Sequence, residues 1–325
     1  MMNNQKGFVT LATGKDHYYQ LAANLLESYI FSTDSNRMPF AIICDRENEY
    51  TKNFDKVVLI NNPSNSYMDK IEMLNLAPFE ENIFIDADSL VYKDINDLFP
   101  VFDGLNGVRF IGRKLPLNTT VGWFRYDDIG DYKEEIKFIP SFHGGVFYFK
   151  NDSLTKEIYA MAKQICIDYS KYKFAEFEKP ADEPIFALCT AVLQVEPIEN
   201  NTVANHTVIF APGHKFKCDI LKHKLKKTKA LGGIRIKPED YKILHWQNKN
   251  THGIRYKKEV KKLMNRNNSA KCFLVEAEYI LKRICGLSLD ILKNISENIK
   301  IYVTEHQKLR ATLHKIKHIF KKRKL

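Results

Sequence analysis

The sequence lacks the features of a membrane-spanning or disulfide-bonded protein. No apolar run approaches the roughly 18 residues that a membrane-spanning helix needs, and residues 1–6 are polar, unlike the start of a signal peptide. The six cysteines are scattered and form no Cys-x-x-Cys pair, so neither a disulfide framework nor a zinc site is predicted. We therefore expect a cytoplasmic protein, either free or held at the inner face of the cytoplasmic membrane.

Acidic residues are scarce at the C-terminal end. Residues 271–325 contain thirteen Lys and Arg against five Asp and Glu, and residues 306–325 contain eight Lys and Arg with no acid. Apolar residues in this region recur at a helical spacing, beginning with Phe273, Leu274 and Ala277. We predict a helical basic tail over 266–325 that acts as an anionic membrane-surface or oligomerisation element. Nucleic-acid binding is not expected, because aromatic residues are sparse among these charges.

The N-terminal part shows strand and helix patterns in alternation. Short β-branched or aromatic runs are separated by amphipathic segments, which is typical of an α/β protein with a mainly parallel sheet. The predicted strands cover 7–13, 38–45, 55–60, 82–85 and 108–112, and the predicted helices cover 16–31 and 67–76.

The strongest functional signal is the segment Asn82–Val91, which runs NIFIDADSLV. Its apolar first half predicts a buried strand, and Asp86 and Asp88 follow directly. In open α/β sheets, ligands bind beyond the carboxyl ends of the strands. Two carboxylates at that point suit a divalent cation that also contacts phosphate oxygens. Without its context, an Asp-x-Asp sequence would more often mark a strand that ends in a turn, and the flanking residues decide for the metal site.

With its flanking residues, this motif resembles the Asp-x-Asp region of glycogenin-like retaining glycosyltransferases, glycosyltransferase family 8. Lys70 precedes the motif at the place of a family lysine that contacts the nucleotide. Residues 7–13, with Tyr18, look like the family's opening strand and uridine-binding turn. The resemblance is firm over 7–99 and looser to about 256.

The resemblance implies a catalytic domain of GT-A type over 1–265, an α/β fold with a Rossmann-like sheet. It further implies a metal held by Asp86, Asp88 and His245, preferably Mn²⁺, with Mg²⁺ as the second choice. Asp182 and Glu183, at the start of a predicted helix, resemble the family's Gly-Asp-Gln segment beside the transferred sugar. The donor-binding residues that the resemblance implies are Thr10, Leu11, Ala12, Thr13, Tyr18, Lys70, Asp86, Ala87, Asp88, Gly144, Gly145 and Lys249.

Three positions depart from the family pattern near the sugar and the diphosphate. His143 takes the place of an asparagine, before two glycines that we expect to open a strand. Glu183 stands where many relatives have glutamine. The Gly-x-x-Lys-Pro-Trp motif that binds the diphosphate is absent, so Lys249 or Arg255 is the candidate to supply that charge. We assign His143, Asp182 and Glu183 as candidate catalytic residues.

The function predicted from the sequence is metal-dependent transfer of a sugar from a nucleotide-sugar donor, UDP-linked and with retention. The expected acceptor is a glycan or a lipid-linked molecule, as in surface polysaccharide synthesis. Two alternatives remain open. Asp86 and Asp88 also resemble the nucleophile motif of haloacid-dehalogenase-like phosphatases, which need a further acidic pair. A catalytically degenerate GT-A fold could instead serve as a binding module.

Overall fold

A computed structural model describes residues 5–33, 36–174, 179–211, 214–229 and 235–285. The chain divides into two compact units between Asn250 and Thr251. The first unit is an α/β structure built on a mainly parallel sheet, so the predicted fold class is confirmed. The domain boundary predicted at residue 265 falls inside the second unit.

The first unit begins with the strands and helices that the sequence patterns predicted. Their bounds are β1 Lys6–Ala12, α1 Asp16–Ser32, β2 Phe40–Cys44, β3 Lys56–Leu59, α2 Asp69–Asn75 and β4 Glu81–Ile85. The elements that follow are β5 Ser89–Val91, β6 Val108–Leu115, β7 Ile139–Lys150, α3 Ser153–Ile167, α4 Asp182–Val192, α5 Thr202–Asn205, β8 Val208–Phe210, β9 Lys215–Asp219, β10 Lys224–Lys229, β11 Arg235–Asp240, β12 Ile243–His245 and α6 Gln247–Thr251.

The main sheet has six strands in the order β3-β2-β1-β4-β7-β6. Strands β3, β2, β1 and β4 are parallel, whereas β7 pairs antiparallel with both β4 and β6. The carboxyl ends of β1 and β4 therefore lie at the same edge of the sheet, where Asp86 follows Ile85.

Aromatic side chains form much of the core around β4 and β7. Phe84 and Phe147 lie directly opposite in the register, and their ring centroids are 5.0 Å apart. Phe110 on β6 packs against Phe147 at 4.9 Å, and all three side chains are at most 2% exposed. Such burial of large apolar surface gives the sheet edge a rigid base.

The strand predicted to open at the two glycines is longer than expected. It begins at Ile139, so Gly144 and Gly145 lie in its interior rather than at its start. The extension is stabilised by pairing with β6, since Ile139 lies opposite Leu115. The sequence prediction missed it because Pro140 and the glycines are poor strand formers.

Two small sheets complete the first unit. In one, β12 lies between β5 and β8, antiparallel to β5 and parallel to β8. The other is an antiparallel sheet in the order β11-β10-β9. Neither was predicted, because three of these strands have only three residues and pair with distant parts of the chain.

The described part of the second unit consists of two helices, α7 Ile254–Met264 and α8 Ser269–Cys285. Ion pairs join them, including Lys262 Nζ to Glu276 Oε2 at 3.3 Å and Lys261 Nζ to Glu278 Oε2 at 3.2 Å. Helix α8 agrees with the helical pattern predicted for this region. The rest of the predicted tail, from residue 286, lies outside the described residues. Within the described ranges, no helix has the length and apolar character to cross a bilayer.

Candidate active site

Strand pairing brings three predicted metal ligands together. Asp86 and Asp88 lie between β4 and β5, and the backbone N–H of Asp86 donates to the carbonyl of Gly145 at 2.9 Å. In the β5–β12 ladder, His245 lies directly opposite Ser89. The N–H of Trp246 then donates to the carbonyl of Asp88 at 3.0 Å. These contacts fix His245 beside both carboxylates, although it follows Asp88 by 157 residues in the sequence.

These three side chains fit a divalent metal ion. Nε2 of His245 lies 2.9 Å from Oδ1 of Asp88 and 3.7 Å from Oδ2 of Asp86. One ligand atom from each residue lies within 4.8 Å of the others. Two hard carboxylate oxygens with one imidazole nitrogen suit Mn²⁺ or Mg²⁺ better than a soft-metal site.

Lys70, the second residue of α2, joins this cluster to Asp182. Its Nζ lies 2.8 Å from Oδ1 of Asp86 and 3.2 Å from Oδ2 of Asp182, and its side chain is only 12% exposed. The same ammonium lies 5.2 Å from the ring centroid of Phe84. A buried charge with two carboxylate partners is held in one position, ready to contact an anionic group above the sheet edge.

The glycines of β7 leave space that the site uses. A Cβ atom at Gly145 would lie 2.6 Å from Nδ1 of His245, too close for any side chain. A Cβ atom at Gly144 would lie 3.0 Å from Cγ of Glu183. These positions therefore allow His245 and Glu183 to approach the strand backbone.

His143 and Glu183 are neighbours on the other side of the glycines. Nδ1 of His143 accepts a hydrogen bond from the N–H of Gly145 at 3.0 Å and lies 3.5 Å from Oε1 of Glu183. That carboxylate oxygen accepts from the N–H of Gly144 at 2.6 Å. Since Nδ1 accepts, the proton of the neutral imidazole resides on Nε2.

Burial and neighbouring charges shift the protonation of the site. Burial, together with repulsion from Asp182, raises the pKa of Glu183 to about 7. Burial, with the nearby His245 and Lys70, lowers the pKa of His143 to about 3, so this imidazole is neutral. Burial opposes the charge of Lys70, but Asp182 and Asp86 more than offset it and raise the pKa of this ammonium.

The His245–Asp88 pair shows the opposite balance. Burial alone would lower the pKa of His245, but the hydrogen bond and charge of Asp88 raise it. Burial would likewise raise the pKa of Asp88, yet the contact with His245 holds it below its ordinary value. Because metal ligands bind in their deprotonated form, a metal ion at this site would compete with the proton that this pair favours on His245.

The predicted nucleotide-binding residues of β1 follow the alternation of a strand. Thr10 and Ala12 are buried, whereas Leu11 and Thr13 are partly exposed. Oγ1 of Thr13 donates to Asp69 at 2.7 Å. Tyr18, in the first turn of α1, is partly exposed, and Ala87 lies between the two ligand aspartates at 9% exposure. Contact of these residues with a nucleotide stays a prediction.

Lys249 lies in α6, four residues after His245, and is exposed. Its role in binding a diphosphate also stays a prediction. The phosphatase alternative needs a further acidic pair, for which the sequence offers Asp127-Asp128. This pair forms part of a 3-10 helix, Tyr126–Asp128, where Oδ1 of Asp127 accepts from Lys133 at 2.9 Å. The side chain of Asp127 is 87% exposed.

Two residues of the site escaped the sequence analysis. Asp69 is fully buried and accepts hydrogen bonds from Thr13 and from the N–H and hydroxyl of Ser64, which fixes the start of α2 beside Lys70. Phe210 stacks on His143 with ring centroids 4.0 Å apart. Its signal was a short apolar strand before Ala211, which was overlooked because β8 has three residues.

A cavity of about 430 Å³ opens beside this stack. His143 and Phe210 line it together with polar and charged side chains of β6, β7 and the segment before β8. The other polar and charged residues of its wall are Arg113, Ser141, Glu199, Asn200 and Asn205. A mixed aromatic and polar wall of this type suits a small polar molecule such as a sugar.

Comparisons with known proteins give distant likenesses. No protein-family model matches the sequence. A stretch of 112 residues is 25% identical to inositol phosphorylceramide glucuronosyltransferase 1 of Arabidopsis thaliana, which corresponds to 30% of this chain and 20% of the plant protein.

The solved structures that resemble the chain include galactosyltransferase LgtC in complex with donor and acceptor sugar analogues. It has a TM-score of 0.42 and 13% identity, over 64% of this chain and 76% of LgtC. An active-site mutant of LgtC has a TM-score of 0.44 and 15% identity, with the same coverage of both chains. The apo structure of the bifunctional glycosyltransferase WbbM has a TM-score of 0.42 and 14% identity, over 65% of this chain and 40% of WbbM. The chain spans one fifth of the curated relative that it matches.

Proposed function

We propose that the chain is a glycosyltransferase of GT-A type, related to the glycogenin-like family. It transfers a hexose from a nucleotide-sugar donor, UDP-linked and with retention, to a glycan or lipid-linked acceptor, as in surface polysaccharide synthesis. The observation that carries the proposal is the cluster of Asp86, Asp88 and His245 at the carboxyl end of β4, with Lys70 paired to Asp86. A metal site next to a fixed cation suits a diphosphate, because its oxygens can bind the metal and accept hydrogen bonds from the lysine at the same time.

Asp86, Asp88 and His245 would hold Mn²⁺ or Mg²⁺. When bound, the metal supplies Lewis-acid stabilisation of the charge that develops on the leaving nucleotide diphosphate. Lys70 adds a fixed positive charge at the same edge. The partly exposed Leu11, Thr13 and Tyr18 provide the surface for the nucleoside, and the buried Thr10 and Ala12 support it from within the strand. The exposed Lys249, four residues after His245, contributes a further cation.

Asp182, Glu183 and His143 surround the position proposed for the transferred sugar. Asp182 is 4% exposed, and its Oδ2 lies 3.2 Å from Nζ of Lys70. The neutral His143 presents an Nε2–H donor, and Gly144 and Gly145 let Glu183 and His245 lie against the strand beside it. The neighbouring cavity of about 430 Å³ then receives the acceptor against Phe210 and His143.

The proposal is tested by incubating the protein with a panel of nucleotide sugars and Mn²⁺ and measuring released nucleotide. We expect metal-dependent release of UDP from one or a few donors, accelerated by an acceptor. Asp88→Asn should retain the fold but abolish the metal-stimulated reaction, because an amide is a poorer ligand for a hard cation. Release of UDP at an equal rate by this variant would contradict the assignment.

A phosphatase assay and calorimetry, run beside the nucleotide-sugar panel, separate the alternatives. A phosphatase would release inorganic phosphate from phosphate esters and leave nucleotide sugars intact. A degenerate binding module would bind UDP and Mn²⁺ in calorimetry yet give no turnover with any donor. Either result would replace the transferase proposal.

A further inference from the structure

The basic segment that starts at Lys215 folds into the antiparallel sheet β9–β10–β11 with one strongly cationic face. In its register, Lys217 lies opposite Lys226, and Lys215 lies opposite Lys229. Residues directly opposite each other in a sheet project from the same side. The face defined by this register, called the basic face below, consists of Lys215, Lys217, Asp219, Lys224, Lys226, Lys229, Arg235 and Asp240.

The opposite side of this sheet anchors it to the body of the first unit. Phe216 is 8% exposed and Leu225 is fully buried. The ring of Phe216 packs edge-on against Trp246, with centroids 5.8 Å apart, and Trp246 directly follows His245. The basic face is therefore carried on a sheet whose apolar side rests next to the metal ligand.

The two acids of the basic face already contact lysines. Asp240 lies 3.3 Å from Nζ of Lys93 and 3.6 Å from Nζ of Lys226. Asp219 lies 4.0 Å from Nζ of Lys222. Six basic residues against two acids leave the face a formal charge of +4. An anionic partner thus meets an uncompensated positive surface.

The register also places like charges directly opposite each other. Lys217 faces Lys226, and Lys229 lies between Lys215 and Arg235. Such pairs destabilise a sheet. An extended anionic partner would relieve the repulsion between these pairs, so the arrangement is better suited to a bound state than to an isolated surface.

We propose that the basic face docks on the surface of an anionic lipid bilayer. Five of its six cations are lysines, which act as compact point charges, and the face carries no aromatic side chain. Nucleic-acid surfaces rely on aromatic stacking and on the planar fork of arginine, and both are scarce here. Anionic headgroups that move laterally can instead gather beneath a flat row of lysines. Docking on this side would bring His245 and its neighbours near the bilayer.

This inference goes beyond the transferase proposal and is tested without catalysis. The full chain is mixed with vesicles of phosphatidylcholine alone or with about one third phosphatidylserine, and bound protein is measured by sedimentation. The face variant combines Lys215→Gln, Lys217→Gln and Lys224→Gln, all at exposed positions. The control variant removes the same charge at exposed positions elsewhere in the first unit, with Lys52→Gln, Lys137→Gln and Lys156→Gln.

We expect the parent protein to bind only the anionic vesicles, and to be released as salt rises above about 0.1 M. The face variant should bind anionic vesicles about a hundredfold more weakly, because each of the three lysines removed contributes about fivefold to the affinity. The affinity of the control variant should change much less. Equal thermal melting and Mn²⁺ affinity of the three proteins would show that the substitutions leave the fold intact.

Three results would overturn the proposal. The parent protein could fail to bind anionic vesicles. The face and control variants could weaken binding equally, which would mean that only total charge matters. Finally, a DNA duplex or a soluble anionic polysaccharide could bind at a lower concentration than the vesicles and lose affinity with the face variant, which would assign the basic face to that partner.

Discussion

At the scale of single residues, the centre of the site depends on how Lys70 is shared between two carboxylates. It contacts Asp86, a proposed metal ligand, and Asp182, beside the proposed sugar position. The ammonium of Lys70 partly neutralises the carboxylate of Asp86, to which a metal ion would also bind. Lys70 and a metal thus repel each other, while both attract a diphosphate.

Replacing this lysine should therefore separate nucleotide affinity from metal affinity. Lys70→Met keeps most of the aliphatic stem and removes the charge, so UDP binding in the presence of Mn²⁺ should weaken by about 1 to 3 kcal/mol. Binding of Mn²⁺ alone should be unchanged or tighter, because a competing cation is gone. Calorimetry checks both quantities, and equal loss of both would indicate collapse of the site instead.

Glu183 gives the site a pH dependence whose sign follows from its environment. Its pKa is about 7 in the folded protein against an ordinary value of 4.5. The folded state therefore holds a proton that the unfolded chain releases, and this contribution to stability is complete below pH 4.5 and lost as pH rises through 7. The full effect is roughly 3 kcal/mol.

Glu183→Gln removes that titration. Urea unfolding of the metal-free parent and variant at about pH 5 and pH 8 should show the variant gaining roughly 2 to 3 kcal/mol relative to the parent at the higher pH. The comparison between the two proteins cancels the other titrating groups. Parallel behaviour of parent and variant would place the glutamate in a more polar environment than the structure gives it.

At the scale of elements, the sequence predicted what is local and regular. The strands from β1 to β4 and the helices α1 and α2 stood out because their apolar residues recur at fixed spacing. Asp86 and Asp88 were found because they follow a buried run directly. His245 was found only through a family resemblance. Its position depends on pairing between β5 and β12, which are too short to show a pattern and far apart in the chain.

The basic sheet illustrates the same limit. The lysines of β9 and β10 form a charge run in the sequence, but their division between the two faces of the sheet depends on the hairpin register. Phe210 and Asp69 were missed for a related reason. A single side chain that supports a site by contact carries no periodic signal.

The two glycines of β7 permit a test at this scale, because each faces a different part of the site. Gly145→Ala would force Cβ against Nδ1 of His245 and push the imidazole away from Asp88. We expect Mn²⁺ affinity to fall at least about tenfold, the lower range for disturbing a ligand's supporting contacts. Gly144→Ala, which crowds Glu183 instead, should retain Mn²⁺ affinity and lower only turnover. If both variants bound Mn²⁺ like the parent, the close approach of His245 to β7 would be contradicted.

At the scale of the whole molecule, two basic segments are proposed to meet an anionic membrane. The basic face belongs to the first unit, and residues 306–325, with eight Lys and Arg and no acid, belong to the C-terminal tail predicted from the sequence. If both bind one bilayer, each adds its own attraction to the same complex.

The contribution of the tail to membrane binding can be measured alone and together with that of the basic face. Deleting residues 305–325 should preserve Mn²⁺ binding and activity on a water-soluble acceptor, yet reduce sedimentation with anionic vesicles in a salt-sensitive way. Adding the three glutamine substitutions of the basic face should multiply the two losses, because independent attractions add as free energies. Unchanged sedimentation of the truncated protein would rule out a membrane role for the tail. Loss of Mn²⁺ binding and a lower melting temperature on truncation would instead indicate that the tail packs on the rest of the protein.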